Sequence, residues 1–276
     1  MSKPNNAPAA VKAKSSGNNA IFAPAVIIGA LVLSELVYHL YMGDGSHFEG
    51  GDHTKGVLNG NVPGLMYKGG FIVPILMTCF LCVVVFSIER YLTLNAATGG
   101  GNLAEFIKRI KANLDRGNVD AALAECDKQK GSVANVVRSG LSKYKEVQND
   151  SSLSTDVKVS SIQTEIEETK ALEVPILERN MPILSTLASV GTLIALLGTV
   201  LGMIRSFAAL GTSGAGDSSA LANGISEALI NTALGIATSA LAIILYNYFT
   251  ARIDAMKYRI DESSFIMTQT LANHGK

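Results

Sequence analysis

Four stretches of this chain, residues 20–42, 70–94, 181–210 and 223–250, are long, apolar and nearly free of charge. A helix needs about 20 apolar residues to cross a bilayer core. Inside lipid every backbone N–H and C=O must be paired within its own segment, so a chain with such stretches crosses as helices. The pattern predicts an all-α, polytopic integral membrane protein. Only 17% of the residues are charged, against about a quarter in soluble domains, and the charges that remain crowd into one segment.

The distribution of Lys and Arg orients the spans. Residues 1–19 hold three (Lys3, Lys12 and Lys14), residues 43–69 hold two (Lys55 and Lys68), and residues 211–222 hold none. Thirteen lie between residues 90 and 180, and four follow Thr250. Basic loops stay on the cytoplasmic side. This predicts cytoplasmic termini and a cytoplasmic segment at 95–180, with outward-facing loops at 43–69 and 211–222. Residues 1–19 read as a disordered cytoplasmic N-terminus, rich in Ala, Asn, Lys and Ser, and 251–276 as a cytoplasmic tail. The Gly-rich loop 43–69 reads as flexible. The exit of the first span, Tyr38-His39-Leu40-Tyr41-Met42, has no small-residue cleavage site, so this span is expected to be a retained helix and not a signal peptide.

The cytoplasmic segment is helical by its period. Leu103, Phe106, Ile107, Ile110 and Leu114 recur at spacings of three and four, with Lys108, Arg109 and Lys111 between them. Arg116-Gly117-Asn118 ends that helix, a second starts at Asp120, and a third follows the break at Gly131. From Thr155 a helical pattern runs into the third span, where Pro175 and Pro182 must bend it or be absorbed. The expectation is a cytoplasmic bundle extended from the membrane helices, with no site of its own. Gly99-Gly100-Gly101 lacks the lysine and strand of a phosphate loop and reads as a turn. No enzyme motif, metal-ligand spacing or cofactor site stands in the chain. Cys79-x-x-Cys82 lies within an apolar run and Cys126 in a charged helix, and all three read as small apolar filler. With 23 basic and 23 acidic residues, no charge surplus points to nucleic acid.

The third and fourth spans carry stripes of small residues. Ser185, Ala188, Thr192, Ala195, Thr199, Gly202 and Ser206 share one face, and Gly224, Ala228, Asn231, Gly235, Thr238 and Ala242 share another. Such stripes serve close helix packing or the wall of a pore, and the pattern leaves both readings open. A mid-membrane acid is the usual proton carrier, and these two spans have none. Glu227 is about 6 Å along the helix from the outer end of its span, at a depth where Arg205 can pair with it. Glu35, about 10 Å from the outer end of the first span, reads as interfacial or helix-pairing. If the chain moves protons, another chain supplies the central carboxylate.

Leu196-Leu197-Gly198-Thr199-Val200-Leu201-Gly202-Met203-Ile204-Arg205-Ser206-Phe207 resembles a signature of the ExbB/TolQ/MotA proton-channel family, closest to its ExbB members. Gly224-Ile225-Ser226-Glu227-Ala228-Leu229-Ile230-Asn231-Thr232-Ala233-Leu234-Gly235 resembles a second, Tyr246-Asn247 the close of that span, and Ser87-Ile88-Glu89-Arg90 the end of the family's first helix. Asp120-Ala121-Ala122-Leu123 and Arg138-Ser139-Gly140-Leu141 resemble its cytoplasmic pattern. The resemblance covers about residues 70 to 260. It implies three core transmembrane helices, to which residues 20–42 add an extra one, and long helices reaching into the cytoplasm.

It further implies a homo-oligomer, a pentamer, in the bacterial inner membrane. The central pore would hold an ExbD- or TolR-like single-span partner with an intramembrane aspartate. Such a motor works with a TonB-like protein to power outer-membrane transport. Thr199 and Thr232 match the family's pore threonines and Glu227 its glutamate position, and Thr192 and Asn231 join them as expected pore-lining residues. Where the family's last span reads I-P-A, this chain has Ala240-Leu241-Ala242. Arg205 stands where histidine is common, and Asn231 where the residue is usually small or threonine. A TolQ-like envelope motor and a motility stator subunit are alternatives in the same superfamily. A non-conducting membrane scaffold is an alternative from another class.

Overall fold

The computed structural model describes residues 17–53, 55–58, 60–148, 150, 152–213 and 218–274. The expectations for residues 1–16, and for the part of the expected 211–222 loop at 214–217, lie outside them. The described chain is all-α. Its helices are α1 (Gly17–Leu36), α2 (Val62–Tyr67), α3 (Ile72–Thr98), α4 (Leu103–Asp115), α5 (Val119–Gln129), α6 (Gly131–Gln148), α7 (Thr155–Glu178), α8 (Met181–Ser213) and α9 (Ser218–His274). Four helical stretches are long and apolar enough to cross a membrane, so this is a multi-pass membrane architecture. The chain folds as two compact units. One contains the described chain up to Cys82 with Ile194–Leu234, and the other Val83–Leu193 with the chain from Gly235 on.

In the first unit, α1 is apolar apart from its ends, and over residues 21–36 it buries Ala30 and Ser34. It continues as a π-helix over Val37–Met42, whose Tyr38 and Met42 are buried against Val73, with Met66, Tyr67, Met77, Ile230 and Leu234 around them. Tyr38 donates to the Tyr67 carbonyl at 3.0 Å. Ile72, Leu76 and Ala195 form a second cluster with Ile194, Leu201 and Leu234. Most other described α1 side chains, among them Ile21, Ile28 and Leu33, are exposed, as a helix surrounded by lipid requires.

The loop read as flexible is folded. Phe48 is 2% exposed and packs edge-on to His53 and Tyr67, with ring centroids 5.0 and 5.6 Å away. It pairs with Val57 in an isolated antiparallel bridge, and Lys68 Nζ donates to the His53 carbonyl at 2.8 Å. Glycine here marks sharp turning: Gly50, Gly51, Gly60 and Gly70 all have positive φ, a conformation that side chains disfavour.

In the second unit, α4 and α5 begin at asparagine caps. Asn102 and Asn118 accept from the backbone N–H groups of Ala104 and Ala121 at 2.9 and 3.0 Å, which satisfies donors that a helix start leaves open. Phe106, Ile107, Ile110 and Leu114 of α4 are buried, as are Ala122 and Cys126 of α5 and Val133, Val137 and Leu141 of α6. Gly140 lets α6 approach α7: a Cβ there would lie 2.7 Å from Ile166 Cγ1. Burial pushes the Cys126 thiol up to about 12. It therefore stays protonated and serves as a small apolar side chain. Cys79 and Cys82 are also free and buried, and no group of three or more His, Cys, Asp or Glu is placed to hold a metal among the described residues.

The helical run from Thr155 into the third span is interrupted. α7 absorbs Pro175 but ends at Glu178. Arg179 turns to ψ 141° and Asn180 takes φ +63° before α8 starts at Met181. Pro182 has no N–H to offer the carbonyl of Glu178, four residues back, so the chain restarts with proline in the first turn of a new helix. Glu89 and Arg90 of α3 hold this break. Arg90, fully buried, donates to Glu89 at 2.7 and 2.5 Å and to the Leu177 carbonyl at 3.2 Å. Asn180 Nδ2 donates to Glu89 at 3.0 Å. The Glu89-Arg90 pair thus satisfies a carbonyl at the end of α7, where helical donors run out.

Candidate functional site: the threonine pair and the ion pair of the first unit

The small stripes of α8 and α9 meet each other. Gly202 and Gly224 are in contact: a Cβ on either would lie 2.9 Å from the carbonyl oxygen of the other. Ala195, Ser206 and Ala228 are buried beside them. Ser206 donates to the Gly202 carbonyl of its own helix at 3.1 Å. Of the two readings left open by the stripes, close packing accounts for these positions.

Between the helices lies a pair of hydroxyls. Thr199 Oγ1 and Thr232 Oγ1 are 2.5 Å apart and both half-buried. Each is also 3.0 Å from the carbonyl four residues back on its own helix, Ala195 for Thr199 and Ala228 for Thr232. A threonine hydroxyl has one proton and two acceptor lone pairs. One threonine donates to the other, and the second donates to a helix carbonyl. Both protons are then committed while lone pairs remain, so the pair is an acceptor for an incoming proton-bearing group.

Toward the α3 end of the same unit, Arg205 Nη1 donates to Glu227 Oε1 at 2.5 Å. The arginine side chain is 50% exposed and the glutamate 12%. The guanidinium also lies over Phe71, 5.4 Å from the ring centroid. Gly70, at φ +76°, is needed for its backbone and for its space: a Cβ there would be 2.5 Å from Glu227 Oε1. Asn231 is turned into the chain. It is fully buried, donates from Nδ2 to the Gly69 carbonyl at 3.0 Å, and packs against Gly198. Its Oδ1 is buried with no partner in the described structure. Thr192 belongs to the second unit, where its Oγ1 donates to Ser239 Oγ at 2.8 Å.

Gly69, Gly70 and Phe71 shape this site, at the boundary between the loop expected at 43–69 and the span expected at 70–94. Their only signal was the adjacent glycine pair at the start of an apolar run. Among the described residues, Arg205 and Glu35, which is 46% exposed beside His39, stand on different contacts. Arg205→Met is expected to destabilise the protein, because removing one partner of a buried ion pair costs about 3–5 kcal/mol, less here because the arginine is half exposed. Adding Glu227→Gln should recover most of the loss. Thermal unfolding of the two single variants and the double variant in one detergent checks this cycle.

Residues 128–262 match the MotA/TolQ/ExbB proton channel family. The chain is 30% identical over 124 residues to the Tol-Pal system protein TolQ of Pseudomonas aeruginosa, covering 45% of this chain and 54% of that protein. It is 37% identical over 102 residues to the TolQ of Haemophilus influenzae, covering 37% and 44%. To the biopolymer transport protein ExbB of Helicobacter pylori it is 38% identical over 86 residues, covering 30% and 59%. The chain thus spans about half the length of these curated relatives. The threonine pair and the ion pair both fall inside the region, residues 128–262, that is similar to the MotA/TolQ/ExbB proton channel family.

Proposed function

We propose that this protein is a proton-channel subunit of an energy-transducing motor in the bacterial inner membrane, and not an enzyme. The observation that carries the reading is the threonine pair. Two hydroxyls with spare acceptor capacity sit between the apolar spans 181–210 and 223–250, in which Glu227 is the single acid, and Arg205 already engages Glu227. The conducting carboxylate then comes from a single-span partner of the ExbD or TolR kind, with an aspartate in its helix. In its protonated form that acid donates to the threonine pair. In its ionised form it needs a donor or a counter-ion, since a bare charge in hydrocarbon is costly.

In this reading Thr199 and Thr232 line the pore of a homo-oligomer, a pentamer, and Thr192 lies on the same helix further along. Glu227 and Arg205 hold the outer end, and Asn231 braces α9 against the start of α3. The extra α1 sits at the lipid side, and the termini are cytoplasmic. The ExbB relatives favour a TonB-linked transport system, the TolQ relatives an envelope-maintenance motor. The test is purification from native membranes in mild detergent, followed by native mass measurement and a proton-flux assay in vesicles. A multimer that retains a one-span, aspartate-bearing chain and conducts protons is expected. A stable monomer with no such partner would overturn the reading.

A further inference from the structure

Between α1 and α3 runs a hydrogen-bond chain that admits one protonation state of His47. The backbone N–H of Gly64 donates to Asn61 Oδ1 at 2.9 Å and so caps α2. That contact fixes which end of the Asn61 amide is oxygen, and makes Nδ2 the atom 2.8 Å from His47 Nδ1. An amide nitrogen only donates, so Nδ1 presents a lone pair. The other ring nitrogen, Nε2, is 3.0 Å from the Tyr41 carbonyl. A carbonyl only accepts, so Nε2 carries the proton. His47 is thereby held as the neutral Nε2–H tautomer.

This ring joins three pieces of chain. Tyr41 lies in the π-helix that ends the first span, Asn61 caps α2, and the His47 carbonyl accepts from the backbone N–H of Leu58 at 3.1 Å. Gly64 sits close beneath it, where a Cβ would lie 3.0 Å from His47 Cβ. We propose that His47 is an acid-sensitive latch of this loop. A second proton on the ring must go to Nδ1, where an N–H would face the N–H groups of Asn61 Nδ2, donor against donor. The amide cannot turn to offer its oxygen without abandoning the cap of α2. Acid therefore separates His47 from Asn61 and loosens the loop from the end of the first span.

Among the described contacts of the ring, Nδ1 meets Asn61 Nδ2. Asp44, whose carboxyl is held below the usual range chiefly by hydrogen bonds from Ser46, stays anionic and favours a charge on His47. Its Oδ1 accepts from the Ser46 N–H at 2.8 Å. Tyr41 meets the ring edge-on with centroids 5.6 Å apart. Glu49 lies against Gly56 and Lys55 against Gly50. Lys68 bonds the His53 carbonyl, and His53 and Tyr67 pack on Phe48. Asp52 belongs to the same loop.

The latch can be tested without ion flux or a partner, so its fate is separate from that of the channel reading. Hydrogen exchange of the full chain in detergent is followed by mass spectrometry at pH 8 and pH 5, with rates divided by the intrinsic rate at each pH. In the wild type, protection over residues 43–67 should fall about tenfold at pH 5, the scale of one lost hydrogen bond. His47→Asn keeps an acceptor toward Asn61 but does not titrate, and should show no change. Asn61→Asp still caps α2 and can accept from a protonated Nδ1, so the loop should become better protected in acid. An unchanged wild-type loop, an equal fall in His47→Asn, or a fall in Asn61→Asp would each overturn the proposal. If neither variant folds, ring nitrogen shifts of wild-type His47 decide. An Nε2–H ring at pH 8 that gains its second proton together with loss of loop protection supports the latch, and any other pattern overturns it.

Discussion

Gly224→Leu is expected to prevent α8 and α9 from pairing and to leave little folded protein. A Cβ at this position would overlap Ser206 Oγ and stand 2.9 Å from the carbonyl oxygen of Gly202. Overpacking a core by a few carbons costs about 1–3 kcal/mol, and more where neighbours cannot move. Here one neighbour is helix backbone, whose carbonyl is tied into its own hydrogen-bond ladder. Gly211, also on α8, has nothing within 4 Å of a built Cβ. Gly211→Ala should therefore be neutral or slightly stabilising, since alanine is the better helix former. Yield and thermal unfolding in one detergent compare the two. Equal behaviour would mean that the Gly202–Gly224 approach does not hold the helices together.

Thr199→Val and Thr232→Val are expected to leave assembly intact and to abolish gradient-driven work. Valine keeps the branched shape, so the packing of α8 on α9 survives. Each hydroxyl removed breaks the 2.5 Å contact and leaves its partner only backbone carbonyls, Ala195 at 3.0 Å and Ala228 at 3.4 Å for Thr199 and Ala228 at 3.0 Å for Thr232. An incoming acid then meets one hydroxyl in place of a coupled pair, and its ionised form has fewer groups to replace water. Thr→Ser, which keeps the hydroxyl, should retain function. The measurements are proton flux in vesicles and a pull-down of the complex. If both valine variants assemble and conduct normally, the threonines are packing residues and the proton path lies elsewhere.

The membrane spans were legible in the sequence because their cause is local. An apolar run of sufficient length must be helical in lipid, whatever it touches, and the four runs appear as four long apolar helices. The buried face of α4 was legible for the same reason, since a period of 3.6 residues places Phe106, Ile107, Ile110 and Leu114 on one side. The small residues of α8 and α9 were visible as stripes, but a stripe does not name what covers it. Tertiary structure decided that Gly202 meets Gly224 and that Asn231 turns inward to Gly69, a partner 162 residues away in the chain. It also decided that the glycine-rich loop folds around Phe48, and that Arg90 reaches a carbonyl 87 residues on, beside a break at Asn180. Helicity is set by residues within a turn or two. The partner of a buried polar group is set by whichever segment the fold brings within about 3 Å, and no local pattern in the chain encodes that distance.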